Sequence, residues 1–274
     1  DGSTSSAEAL SLAYQQLAQL NQPGALNVIL FFTDGQPTGV TFDMPILTTS
    51  PCSAVTTGNP TGPGGYTLPG NAKGYIRGTY NTFINANQFW GILRHDGVPG
   101  SPAVQVIANG DYVPAPNSTG CNYISGWSNN DGVNNMTDTS DVAGLPLIDI
   151  WGNSVNTSYQ PVTLSNGLID VSNPGQNAPA MALNAADSAA TNIRNGVVDP
   201  VSGNSVPNVL IFSIGLGNAA IPVSPSFLQR VSNDKSSPIY DSTKPTGTYY
   251  AAPTAADLQP AFQAVASEIL RLAR

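Results

Sequence analysis

Residues 27–39 read NVILFFTDGQPTG, and the reading of this stretch decides the fold. Val28 to Phe32 are apolar without a break. A continuous apolar run of this length predicts a parallel strand covered on both faces. It runs straight into Thr33, Asp34 and Gly35, with Pro37 close behind. A strand that ends on a carboxylate and a turn raises the question of what Asp34 holds.

Working outward, residues 6–20 (SAEALSLAYQQLAQL) carry Leu10, Ala13, Tyr14 and Leu17 at helical spacing. Ser5 and Glu8 have the spacing of a capping box ahead of that face. Asn21 to Gly24 predict the stop. Near the other end, 178–196 reads as a second helix closed by Gly196. NVLIFSIGLG (208–217) reads as a second buried strand, 224–234 as a short helix and 246–253 as a last short strand. Residues 254–274 predict a final amphipathic helix capped by Thr254. Its expected apolar face is Leu258, Phe262, Val265, Ile269 and Leu272, with Pro260 near the first turn, where proline costs least. Strands alternating with helices imply an α/β fold with a parallel, doubly wound sheet.

Residues 38–177 break this rhythm with dense Gly, Pro, Asn and Thr. Short β-like runs fall at 74–80, 89–95, 103–113, 145–151 and 159–171. Asn109-Gly110, Asp131-Gly132 and Asn166-Gly167 are turn signals, the first and third placed as hairpin turns. The expected division is an α/β domain from 1–37 and 178–274, with 38–177 a β-rich insertion. A structureless loop of that length would be improbable.

The chain has 274 residues, of which 41% are hydrophobic and only 9% charged, well under the roughly 25% usual for soluble chains. A polar but weakly charged surface suits an extracellular setting. The formal net charge of -8 and the lack of any basic run argue against nucleic acid and anionic membranes as partners. No apolar run approaches the roughly 18 residues of a membrane span, and no stretch has the pattern of a signal peptide. The start at Asp1 in loop-like sequence suggests part of a longer precursor. Cys52 and Cys121 lie in Gly/Pro/Thr-rich segments and read as a disulfide of an oxidising compartment. Two unrelated thiols are the alternative. Their separation is unlike a zinc site.

Several of these stretches together resemble a family. VILFFTDGQP (28–37) resembles the fourth strand of a von Willebrand factor A domain. GSTSSAEALSLA (2–13) is similar to that family's second metal loop and its helix, NVLIFSIGLGN (208–218) to its fifth strand, and 249–274 to its closing strand and helix. The secreted, Tad-pilus-associated bacterial type is the nearest in character. The resemblance covers the two ends of the chain and not the insertion. It implies a Rossmann-like sheet with a Mg²⁺ or Ca²⁺ site at the carboxyl ends of the strands, where Thr4 and Asp34 match the family's threonine and aspartate. Hard oxygen ligands suit such a cation. The resemblance also implies a secreted protein that binds a protein partner. Asp34 could instead bond loop amides.

The family's first three strands have no counterpart. Asp1-Gly2-Ser3-Thr4-Ser5 spells its Asp-x-Ser-x-Ser motif, but no strand precedes it, and helix-capping hydroxyls are the plainer reading. The site in this chain is therefore partial. Without those strands, Val28–Phe32 would be an edge with unpaired amides. An absent segment, the insertion or another copy of the chain would have to cover it, which also makes the chain a candidate filament subunit.

Other signals are weaker. Gly215-Leu-Gly217-Asn-Ala-Ala220 fits a dinucleotide fingerprint, but Pro222 and Pro225 interrupt the helix it needs, and a tight turn is the better reading. His95 is the sole histidine and no Gly-x-Ser-x-Gly elbow is present, so a hydrolase has no constellation behind it. Asp138 and Asp141 read as an Asx-rich loop. Asn117, Asn135 and Asn156 open glycosylation sequons, and Trp90, Trp127 and Trp151 sit in the insertion as expected core.

Overall fold

A computed structural model describes residues 4–45, 71–78, 89–94, 146–159, 164–165, 168–169, 174–217 and 223–273. The expectations placed on Cys52, Cys121, His95, Asp138, Asp141, Asn117, Asn135, Trp127 and residues 103–113 lie outside them, as do Asp1, Gly2 and Ser3. The chain divides into two compact units, Gly2–Pro37 with Leu183–Arg274, and Thr38–Ala182.

The first unit is α/β. Helix α1 (Ser6–Leu20) buries Ala7, Leu10, Tyr14 and Ala18 and ends on Asn21, whose φ of 41° is left-handed. Strand β1 (Val28–Thr33) pairs in parallel with β7 (Leu210–Leu216), which pairs in parallel with β8 (Tyr249–Ala252). The register Leu30↔Phe212 and Phe32↔Ile214 sets which side chains share a face.

Helices cover this sheet on both sides. On one face, helix α4 (Ala255–Leu272) packs Ala261 and Val265 against Phe212, Ile214 and Ala252, with Leu258 and Ile269 at the margin. On the other, helix α3 (Pro225–Ser232) lies so close to β7 that a Cβ on Gly215 would fall 2.7 Å from Leu228 Cδ1. The Ser213 hydroxyl donates to the Leu228 carbonyl there, at 2.9 Å. Phe31 meets Phe227 edge to face with centroids 6.5 Å apart.

Helix α2 (Pro174–Arg194) reaches this unit from Leu183 onward. Ala185, Ala186, Ala189, Ala190 and Ile193 are all buried. Small side chains let neighbouring elements approach the helix closely, and Gly196 closes it with a φ of 63°.

Four details depart from expectation. β1 is not covered on both faces: Ile29, Phe31 and Thr33 are buried, but Leu30 is 39% and Phe32 44% exposed. Among the described residues β7 is its one neighbour, so it lies at the margin of the sheet. Ser5 sits at the N-cap of α1, yet its hydroxyl donates to Glu8 Oε2 at 3.3 Å instead of accepting a backbone amide. Phe262 and Leu272 stand largely in solvent, because the buried seam of α4 runs through Ala261 and Val265. Pro260 is the sixth residue of α4, in its second turn, whereas Thr254 does stand at its N-cap in a capping box, its backbone amide donating to Asp257 Oδ2 at 3.0 Å.

In the second unit, β2 (Gly39–Pro45), β3 (Asn71–Gly78) and β4 (Phe89–Arg94) form an antiparallel meander. β3 and β4 match the runs at 74–80 and 89–95, while β2 was not expected. β5 (Leu164–Ser165) and β6 (Leu168–Ile169) pair antiparallel, and the turn expected at Asn166-Gly167 lies outside the described residues. The run at 145–151 is not a strand. Asp149 Oδ1 accepts the Trp151 and Asn153 amides, Gly152 adopts a φ of 80°, and a single bridge joins Ile148 to Ser154. No helix among the described residues is long and apolar enough to cross a membrane.

Candidate functional site

Parallel strands end together. Thr33, Leu216 and Ala252 therefore close the same edge of the β1–β7–β8 sheet, and in such sheets ligands gather outside the carboxyl ends. At the end of β1 the Thr33 hydroxyl donates to the Gly35 carbonyl at 2.9 Å and accepts the Gly35 amide at 3.3 Å. This turn leaves Asp34 exposed, and no hydrogen bond engages its carboxylate among the described residues. The alternative in which Asp34 binds loop amides is thus not what the turn does: Thr33, not Asp34, takes the Gly35 amide.

Thr4 stands against this turn. A Cβ built on Gly35 would lie 3.7 Å from Thr4 Oγ1, an ordinary contact distance. Thr4 lies just before α1 and Asp34 just after β1, so the contact at Gly35 puts Thr4 next to the residue that follows Asp34.

Ser6, in the first turn of α1, was not singled out. It is 1% exposed, and its hydroxyl has no hydrogen-bond partner. Leaving such a group unsatisfied costs about 1–3 kcal/mol, so it calls for a reason. The Ser/Thr-rich run 3–6 was the available signal, but its hydroxyls read as capping groups.

Thr4, Ser6 and Asp34 are all hard oxygen donors, the kind that Mg²⁺ or Ca²⁺ takes. They fit such an ion in chemistry and fall short in number, since either ion uses six or more oxygens. The described residues hold no group of three or more His, Cys, Asp or Glu side chains that could bind a metal. Any cation here would rest on one carboxylate, hydroxyls and water. The N-terminus of α1 carries partial positive charge, which Glu8 in its first turn counters.

The opposite edge, where β8 begins, is rich in charge of another kind. Asp187 of α2 and Arg230 of α3 form a buried fork: Arg230 Nε donates to Oδ1 at 3.2 Å and Nη2 to Oδ2. Arg194 is also buried. Its Nη1 donates to the Val231 carbonyl at 2.6 Å and its Nη2 to the Thr191 hydroxyl. Burial lowers the Arg194 guanidinium to about 10; Asp187 counters that shift and Arg230 adds to it.

Asn233 ends α3 in a left-handed conformation and donates to the Asp241 and Pro245 carbonyls, while accepting the Asp241 amide. Asp234 takes the Ser236 and Tyr249 amides. Gly247 seals the edge, because a Cβ there would lie 1.9 Å from the Ile211 carbonyl oxygen. The carboxylates of Asp187 and Asp234 and the Asn233 amide are all engaged by neighbouring groups. None of this cluster was legible as a site, and its geometry is that of structural support.

Gly215 also finds its role. It lies within β7, not in a turn after it, and its missing side chain makes room for Leu228, Val223 and Tyr249. Close helix–strand packing accounts for it without a dinucleotide. Asn218, Ala219 and Ala220 of that fingerprint lie outside the described residues.

No family model, curated protein or solved structure matches the chain. The reading of the site therefore stands on its geometry and on the motifs in the sequence.

Proposed function

We propose that the chain is a non-enzymatic interaction module of von Willebrand factor A type, secreted and displayed at a cell surface, which binds a protein partner at the carboxyl edge of the β1–β7–β8 sheet. The observation that carries this reading is the meeting of Thr4 with the Thr33–Gly35 turn, where Asp34 stands exposed; Ser6, two positions on from Thr4, adds a buried hydroxyl with no partner among the described residues. Asp34 supplies the charge and the two hydroxyls supply neutral oxygens. A bound Mg²⁺ or Ca²⁺ would offer an open coordination position to a partner's carboxylate. Thr33 holds the turn so that Asp34 keeps its outward place. A Cys52–Cys121 disulfide belongs to the same extracellular reading.

Thermal unfolding tests it. MgCl₂ against a chelator is expected to raise Tm in the native sequence and to leave Asp34→Ala and Thr4→Val unmoved. Equal Tm in both solutions for the native chain would remove the cation from the proposal.

A second reading is favoured by the margin of the sheet. β1 has β7 as its one neighbour among the described residues, with Leu30 and Phe32 exposed and Phe262 beside Phe32 at 6.1 Å between ring centroids. Unpaired strand amides next to apolar side chains invite an added strand. In this reading the chain is a structural subunit of an extracellular filament or pilus-like assembly, held by strands exchanged with other copies. Electron microscopy of native material is expected to show filaments that Phe32→Lys abolishes. Dispersed particles from the native chain would contradict it.

A further inference from the structure

We draw no further inference here: the strongest candidate, the apolar margin of β1 with Leu30, Phe32 and Phe262 exposed beside it, carries nothing beyond the strand-exchange reading because nothing in the structure shows what covers it.

Discussion

The two edges of the β1–β7–β8 sheet use polar residues in opposite ways. Where β8 begins, Asp187, Arg230, Arg194, Asn233 and Asp234 are buried and bonded to one another or to backbone. Where β1 ends, Asp34 is exposed with no hydrogen bond among the described residues, and in the first turn of α1 the Ser6 hydroxyl is buried with none among them. A buried polar group costs little only when it is satisfied. The satisfied edge therefore explains itself as structure. The buried Ser6 hydroxyl and the exposed Asp34 carboxylate have no such account, which is why the proposed site is drawn from Asp34, Thr4 and Ser6 and not from the denser cluster of charge.

Substitutions at the satisfied edge should damage the fold and nothing else. Gly247→Ala carries the largest expected effect. Its Cβ would meet the backbone of β7, which cannot move aside as a flexible side chain could. A loss above about 4 kcal/mol is expected, seen as the absence of a cooperative melt of the α/β unit.

Asp187→Ala should cost about 3–5 kcal/mol by taking the carboxylate away from the buried Arg230 guanidinium. Asp187→Leu combined with Arg230→Met is expected to recover most of that loss in urea unfolding. If the double variant were no better than the single one, the ion pair would have a role beyond support.

A smaller effect concerns Asp199, in the loop that ties α1 to the unit. Tyr14 donates to the Val197 carbonyl and accepts the Val206 amide, and Asn204 donates to the Ala18 carbonyl. Burial pushes the Asp199 carboxyl up, but the Ser202 hydroxyl and amide, both 2.6 Å from Oδ2, outweigh it and hold it below the usual carboxylate range. A depressed folded value means the contribution is complete above the unfolded value of about 3.9 and is lost as pH falls through the folded one. Asp199→Asn should therefore lower Tm at neutral pH, with the gap to the native chain closing in acid. A gap that stayed constant down to pH 2 would contradict the assignment.

Local pattern made much of the α/β unit legible. Helical spacing located α1 and α4, the stretches 178–196 and 224–234 marked α2 and α3, apolar runs located β1 and β7, and Asn21 and Gly196 marked helix ends as αL residues do. Thr4 and Asp34 were legible as a pair only through the family resemblance, since no local rule links two residues on different elements. Most of the misses are matters of distant partners. A run of apolar residues cannot tell that Leu30 and Phe32 lack cover. Gly39–Pro45 hides a strand behind a terminal glycine, a terminal proline and Asp43, and only its pairing with β3 reveals it. Asp187 and Arg230 are 43 positions apart, and Gly247 is defined by a carbonyl on another strand. Around Asp149, side-chain bonds to the backbone won over the β-like pattern of 145–151.

The contrast between the edges turns on Asp34, and calorimetric titration of the 274-residue chain with Mg²⁺ tests it most directly. The native chain is expected to show saturable heat. Asp34→Asn should abolish that heat while changing stability without metal by no more than about 0.5 kcal/mol, as for an ordinary surface position. The Asp187→Leu, Arg230→Met variant should bind as the native chain does. A native chain that gives no heat, or an Asp34→Asn chain that binds as well as the native one, would contradict the account.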